Sequence, residues 1–155
     1  MEFWDIYDAD KKPTGRTMKR NDWCLKDGEY HLTVLGVVAR PDKTFLITKR
    51  VMTKAWAPGW WEVSGGAAQA GEESRDAVLR EVKEETGLYV RPESICELGE
   101  IIELHRDIFE PDKKFICHSL FFYCDVLDRQ APLSLTPSEI AKGYQLKWAT
   151  PEEVY

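Results

Sequence analysis

The 155-residue chain has no long apolar run, no excess of basic residues and no Cys-x-x-C pair. No window approaches the ~18 consecutive apolar residues of a membrane-spanning helix, and the acidic, aromatic start MEFWDIYDAD does not resemble a secretory signal. The formal net charge of −6 argues against a broad surface for nucleic acid or for an anionic membrane. An anionic substrate would therefore need local cations, supplied by Lys and Arg side chains or by a metal ion.

The four cysteines show neither zinc-site spacing nor a redox pair. We expect Cys24, Cys96, Cys117 and Cys124 to be reduced thiols that are mostly buried. This pattern predicts a cytoplasmic protein with no membrane or nucleic-acid partner.

Length and composition predict one globular domain over residues 1–155, with 43% hydrophobic and 31% charged residues. Thr150-Pro151-Glu152-Glu153 has the form of a helix-capping box with proline at the first helical position, yet the sequence ends two residues later. We therefore expect a C-terminal helix that is truncated relative to the natural chain.

Hydrophobic periodicity and turn residues predict several strands and few helices. Residues 31–40 and 44–50 flank the Pro41-Asp42 turn, so we expect them to form a hairpin. Residues 8–30 contain turn signals and polar residues, and residues 51–71 read as a glycine-rich loop with one short strand near WWEVS. Further strands are expected at 3–7, 94–104, 114–127 and 144–149, and helices at 72–86 and 136–143.

The helix expected at 72–86 carries clustered carboxylates. With 3.6 residues per turn, Glu81, Glu84 and Glu85 fall within about 100° of the helix surface. Val78 and Val82 form a separate apolar stripe that can pack on a sheet. A solvated acidic face is the ordinary explanation for such a run, but clustered hard oxygen atoms also suit Mg²⁺ or Mn²⁺.

The segment from Gly66 to Leu88 resembles the Nudix box, G-x5-E-x7-R-E-U-x-E-E-x-G-U, where U is a bulky aliphatic residue. Every fixed position matches: Gly66, Glu72, Arg80, Glu81, Val82, Glu84, Glu85, Gly87 and Leu88. The resemblance implies an α+β fold, a Nudix-type α/β/α sandwich with a mixed β-sheet. It also implies a hydrolase that uses Mg²⁺ or Mn²⁺ and attacks the pyrophosphate bond of a nucleoside diphosphate derivative with water.

The opening WDIYDADKKPTGR looks like the Nudix branch that includes isopentenyl-diphosphate isomerase, which makes an isomerase one alternative. Those isomerases carry a catalytic cysteine in a Cys-x-His-Pro-like stretch before the box. Residues 62–68 here read EVSGGAA, with neither Cys nor His, so the sequence favours a hydrolase. A binding module that has lost catalysis is a second alternative, although it would not need three metal-spaced glutamates.

The resemblance assigns roles to residues of the box. Glu81 and Glu85 become the main metal ligands, Glu84 a further ligand, and the Gly65 carbonyl a candidate fourth. Arg80 is expected to pair with Glu72, which braces the loop and orients Glu81.

The general base and the substrate contacts are less determined by the sequence. Glu81, Glu84 and the later Glu139 are the candidate bases, and Glu139 is also explained as the capping glutamate of the helix at 136–143. Arg50 is a candidate phosphate contact, and Trp56 and Trp61 are candidate walls of the substrate cleft. The identity of the nucleotide-type substrate stays open, and the resemblance suggests a homodimer.

Overall fold

The computed structural model describes residues 1–155 except 21, 55–56, 107–109, 113, 133–139, 142 and 155, and except the side chains of 114 and 115. The described α-helices with complete bounds are α1 (Ser74–Thr86) and α2 (Pro151–Val154), and a single 3-10 turn spans Pro92–Ser94. In chain order the strands are β1 (Phe3–Tyr7), β2 (Pro13–Lys19), β3 (Thr33–Val38), β4 (Phe45–Lys49), β5 (Trp61–Glu62), β6 (Ser64–Ala67), β7 (Leu88–Val90), β8 (Cys96–Arg106), β9 (Lys114–Cys124), β10 (Val126–Gln130) and β11 (Gln145–Ala149).

A mixed four-stranded sheet, in the order β6-β3-β9-β8, forms the centre of the fold. β3 runs parallel to β9 and antiparallel to β6, and β8 pairs antiparallel with β9 along its whole length. Strand β3 is therefore hydrogen-bonded on both edges, as expected for its β-branched, apolar sequence. The α+β class and the mixed sheet agree with the sequence prediction.

The predicted hairpin of residues 31–40 and 44–50 is wrong. β3 and β4 are joined by a turn and by the single bridge between Ala39 and Phe45, but they belong to different sheets. β4 lies instead between β11 and β5 in an antiparallel three-stranded sheet. Because both edges of β3 are already paired, no edge remains for β4.

Helix α1 packs its apolar side on the central sheet. Ala77, Val78 and Val82 are buried, and Gly36 of β3 faces Val78 and Val82. The helix begins at Ser74, two residues later than predicted, because Gly71 has a left-handed φ of 79° and Glu72 lies in the turn before the helix. Gly87, with φ 71°, ends the helix in the left-handed conformation that the sequence predicted.

The first thirty residues contain more regular structure than predicted. β1 matches the expected strand, but β2 occupies part of a stretch expected to be turns and polar residues. The two strands pair antiparallel, and Met18 of β2 is buried against Trp4 and Ile6. The turn between them is closed by Asp8, whose carboxylate accepts the backbone N–H groups of Asp10 and Lys12 at 2.9 Å each.

The remaining expectations have mixed outcomes. The late strands are present, but the stretch near WWEVS forms two short strands, and β7 and β10 pair with each other.

The capping box at Thr150 is formed, since the Thr150 N–H donates to Glu153 at 2.7 Å and the Glu153 N–H donates back at 3.3 Å. The helix predicted at 136–143 lies mostly outside the described residues. No described helix is long and apolar enough to cross a membrane.

The cysteines are free thiols, but the prediction that most are buried is wrong. Cys124 is buried and Cys117 is half-buried, whereas Cys24 and Cys96 are exposed. Cys96 is exposed because it begins β8, which is the edge strand of the central sheet and leaves large aliphatic side chains such as Leu98, Ile102 and Leu104 open to solvent.

Candidate active site

Two glycines of strand β6, Gly65 and Gly66, occupy positions where a side chain would not fit. A Cβ atom on Gly65 would collide with the backbone of Val34 in the neighbouring strand. A Cβ atom on Gly66 would lie 2.5 Å from the Glu81 carboxylate. Gly66 therefore leaves the space in which the carboxylate of Glu81 lies directly against the strand, and Gly65 leaves room for the backbone of β3.

Arg80 connects the helix to the loop before it. Its guanidinium donates to both oxygens of Glu72, at 2.8 and 2.9 Å, and to the Ala67 carbonyl at 3.1 Å. It also donates to Glu81 at 2.7 Å, and its Nη1 lies 3.4 Å from a carboxylate oxygen of the half-exposed Glu84. The expected Arg80–Glu72 ion pair is thus present, and the planar guanidinium holds Glu72, Glu81 and the Ala67 carbonyl in a fixed arrangement.

Glu85 is the most deeply buried carboxylate of the site. Its Oε2 accepts the Ser64 hydroxyl at 2.6 Å and the Gly65 N–H at 3.2 Å, and no described Lys or Arg forms an ion pair with it. Burial raises the pKa of Glu85 to about 7, and the nearby charges of Glu81 and Glu62 act in the same direction against the two hydrogen bonds. A deprotonated Glu85 is therefore a buried charge that has no cationic partner in the part of the chain that the structure describes.

The other carboxyl groups of the network respond differently to burial. Burial also raises the pKa of Glu81, although Arg80 opposes this shift. Burial pushes the pKa of Glu72 upward too, but the hydrogen bonds from Arg80 and from the Gln69 N–H outweigh it, so that pKa lies below its usual value. Glu72 thus behaves as the permanent counter-ion of Arg80, Glu81 shares that cation, and Glu85 has no ion pair with a described Lys or Arg.

Sequence reasoning missed Glu62 and Ser64 as members of the site. Glu62 of β5 accepts both of its bonds from Nη1 of Arg50, at 2.9 and 3.0 Å, and burial raises the pKa of its carboxyl group. The signal available in the sequence was a charged residue inside the apolar stretch WWEVS, immediately before the two glycines. A polar residue in such a strand is typically buried with a partner.

The two described candidates for substrate contact, Arg50 and Trp61, have different partners. The Arg50 guanidinium is paired with Glu62, at the Glu85 side of the site. The ring of Trp61 instead lies beneath two ammonium groups, with Lys147 at 4.4 Å and Lys49 at 5.6 Å from its centroid. Trp56 and Glu139 lie outside the described residues.

A cavity of about 500 Å³ opens beside α1, and neither Glu81 nor Glu85 is among the described residues that line it. Arg80, Lys83 and Glu84 give its wall charges of both signs, and the wall reaches Pro132, the last described residue before 133–139. Shape alone therefore does not mark the site, and the buried carboxylates are the stronger guide to its chemistry.

The donor set fits a hard divalent cation. Glu81, Glu85 and Glu62 are carboxylates whose charges act on one another, and Mg²⁺ and Mn²⁺ prefer such oxygen ligands. As the side chains are oriented, no three Asp, Glu, His or Cys side chains of the described residues form a ready-made metal cluster. The Glu81 carboxylate points to Arg80 and that of Glu85 points to Ser64, so the two do not converge on one point. The fit of the site to a divalent cation therefore rests on the oxygen chemistry of the ligands and on the charge of Glu85.

The chain is similar in sequence to several known hydrolases. A Nudix hydrolase of Rhodococcus erythropolis is 29% identical over 152 residues, which cover 96% of this chain and 77% of the relative. A Nudix hydrolase of Listeria monocytogenes is 36% identical over 91 residues, so the match spans 58% of this chain and only 53% of that relative. The human m7GpppN-mRNA hydrolase NUDT17 is 39% identical over 59 residues, covering 38% of this chain and 18% of the relative.

Structural comparison addresses the fold alone. The crystal structure of DR0079 from Deinococcus radiodurans matches with a TM-score of 0.64 at 18% identity, over 97% of this chain and 85% of that one. The NUDIX domain model matches residues 29–155, which include the whole box and every strand after β2. With the box, the fold and the family model in agreement, this chain belongs to the Nudix family.

Proposed function

We propose that the chain is a divalent-metal-dependent pyrophosphohydrolase that acts on a nucleoside diphosphate derivative. The observation that carries this proposal is the buried, uncompensated carboxylate of Glu85, held by Ser64 and Gly65 beside Glu81. A bound cation would neutralise this charge, which a purely structural helix face would not require. An acidic protein could then attract an anionic substrate to the same place.

Glu81 and Glu85 would hold Mg²⁺ or Mn²⁺, with Glu84 and the Gly65 carbonyl as further ligands. The ion would supply charge neutralisation, polarisation of the phosphoryl oxygens and a lowered pKa of bound water. Arg80 positions Glu81 by a 2.7 Å hydrogen bond, and Glu72 in turn fixes Arg80. Removal of either member of that pair should disturb Glu81 without removing a ligand.

The general base is assigned to one of three glutamates. Glu81 and Glu84 lie at the site, and Glu84 is the more accessible because half of its side chain is exposed. Glu139 remains a prediction of the sequence alone. A candidate base must reach the attacking water directly or through one further water. The pH–rate profile reports the pKa of the essential base, so the three candidates can be separated by recording this profile for a Gln variant at each position.

The substrate class follows from the family and from the cations near the site. Arg50 lies beside the carboxylates through Glu62 and is the proposed phosphate contact, and Trp61 with its two lysines is the proposed wall for a more distal anionic or aromatic part. A relative named as a hydrolase of capped mRNA suggests that dinucleotide-type phosphoric anhydrides belong in the test. The cytoplasmic location and the homodimer stay predictions.

A panel of nucleoside diphosphate derivatives, incubated with Mg²⁺ or Mn²⁺ in ¹⁸O-labelled water, tests the proposal. Mass analysis of the products identifies both the bond cleaved and the phosphorus attacked. We expect Glu81→Gln and Glu85→Gln to lower turnover by about 10²-fold or more while the proteins stay folded. The exposed Glu97→Gln, on β8, is the matched control and should retain full activity.

Full activity in both box variants would reject the proposal. Proton exchange at the allylic carbon of isopentenyl diphosphate, followed by NMR, would indicate the isomerase instead. Tight metal-dependent nucleotide binding without turnover would indicate a binding module.

A further inference from the structure

The loop that places Glu72 depends on residues far away in the sequence. Its Ala70 N–H donates to the Phe3 carbonyl at 2.8 Å, and its Gly71 N–H donates to the Asp5 carboxylate at 2.7 Å. Both acceptors belong to β1. The loop therefore has two of its backbone donors tied to the N-terminal hairpin, formed by β1 and β2.

The hairpin is itself firmly anchored. Tyr7 exchanges two backbone hydrogen bonds with Tyr30, at 2.8 and 2.9 Å, and Ile6 is completely buried. Trp4 is 7% exposed, and its cluster with Ile6 and Met18 packs against Ala67 at the end of β6. A rigid element thus contacts the strand of the two glycines and the loop that follows it.

The loop transmits this contact to the carboxylates. Glu72 folds back so that its Oε2 accepts the Gln69 N–H at 2.9 Å, and the same carboxylate receives Arg80. Arg80 then holds Glu81. The chain of contacts runs from Asp5 to Gly71 by a hydrogen bond and from Gly71 to Glu72 by the peptide bond. It continues from Glu72 to Arg80 and from Arg80 to Glu81 by hydrogen bonds.

We propose that the N-terminal hairpin, which precedes the family match at residues 29–155, is a positioning element of the active site, and that Asp5 is its positioning residue. Asp5 holds the loop in the conformation that aims Glu72 at Arg80. The inference rests on the proposed hydrolytic function for its kinetic consequence, but not for its structural one. Asp5 is not one of the proposed metal ligands and would act on them through Gly71, Glu72 and Arg80.

The test compares Asp5→Ala with Asp8→Ala. Both aspartates are half-buried in the same hairpin and both accept backbone N–H groups, but Asp8 bonds only within its own turn. We expect Asp5→Ala to lower kcat by about 10-fold to 100-fold with little change in KM, because a loop displaced by a fraction of an ångström misplaces Glu81. Asp8→Ala should leave kcat within about twofold. Asp5→Asn, whose carboxamide oxygen still accepts an N–H, should restore most of the activity.

A second measurement does not depend on turnover. Amide hydrogen exchange, followed by NMR, should accelerate at Gly71 and Ala70 by about tenfold or more in Asp5→Ala and stay unchanged there in Asp8→Ala. Unchanged exchange at Gly71, or equal losses of kcat in the two alanine variants, would overturn the proposal. A wild-type protein without hydrolytic activity would reject the proposed function, and the exchange data would still decide whether Asp5 holds the loop.

Discussion

Burial of Glu85 beside Glu81 and Glu62 gives the metal-free protein a specific pH dependence. The pKa of Glu85 is raised from 4.5 to about 7 in the folded protein, so between these values the folded state binds more protons than the unfolded state. The contribution of Glu85 to the free energy of unfolding therefore falls as the pH rises through this window, whereas burial lowers the pKa of His31 to about 4, so the His31 contribution rises between about pH 4 and its usual pKa. For Glu85 alone the expected loss is at most about 3 kcal/mol.

Chemical unfolding in EDTA at pH 5 and at pH 7.5 measures this effect. Glu85→Gln removes this titrating group, keeps its shape and leaves His31 unchanged, so we expect the change in the free energy of unfolding between the two pH values to be less unfavourable in the variant than in the wild type. Glu84→Gln, on the same helix but half exposed, is the control. An identical pH dependence in wild type and Glu85→Gln would show that the buried carboxyl group is not responsible.

The Arg80 network predicts a large cost for removing one cation. Arg80→Gln leaves Glu72 and Glu81 without their shared partner in a half-buried setting, and we expect a loss of about 3 kcal/mol in the free energy of unfolding. Arg91 forms a more exposed pair with Asp125, so Arg91→Gln should cost much less. Urea denaturation compares the two variants, and equal losses would contradict the assigned role of Arg80.

The site residues that could be predicted from the sequence lie close to one another along the chain. Arg80, Glu81, Glu84 and Glu85 lie on one helix, so their spacing alone fixes their relation. Glu62, Ser64 and Asp5 reach the site through strand pairing and loop packing. The Asp5–Gly71 bond joins residues 66 positions apart, and no local pattern encodes it.

At the scale of the element, Gly36 sets the distance between α1 and the central sheet. A Cβ atom at Gly36 would lie 2.5 Å from Cγ2 of Val82, so Gly36→Ala should cost about 1–3 kcal/mol and displace the helix that carries the glutamates. Val82→Ala removes the colliding methyl group. We expect the double variant to be more stable than the sum of the single effects by about 1 kcal/mol.

A double-mutant cycle by chemical denaturation measures that coupling. Gly36→Ala combined with Leu104→Ala is the control, because Leu104 is exposed on β8 and lies away from the helix. Strict additivity in the Gly36–Val82 pair would show that the helix is not held at its present distance by this contact.

Helix α1 was predictable as an element because its apolar stripe, its lack of internal Gly and Pro, and its glycine cap all agree. The pairing of the strands was not. β3 and β4 look like a hairpin to any local test, yet each strand is paired with partners from elsewhere in the sequence. Strand β2, with Met18 as its buried residue, had too weak an alternation to be recognised.

For the whole molecule, a metal ion that binds only the folded state must raise its stability. At a hundredfold excess over the dissociation constant the gain is about 2.7 kcal/mol, which corresponds to a rise of about 5–10 °C in Tm for a domain of this size. Thermal unfolding with MgCl₂, against NaCl at equal ionic strength, should show this rise. Glu85→Gln should reduce it strongly, and an undiminished rise in that variant would place the ion elsewhere.

The parallel pairing of β3 with β9 has a consequence for synthesis of the chain. Thr33 lies beside Ser119, so one edge of the strand at the centre of the sheet stays unpaired until most of the polypeptide has been made. The whole Nudix box is translated before that partner exists. A nascent chain halted before residue 114 would expose an apolar strand edge, and it is at this stage that we expect aggregation and chaperone binding to compete with folding.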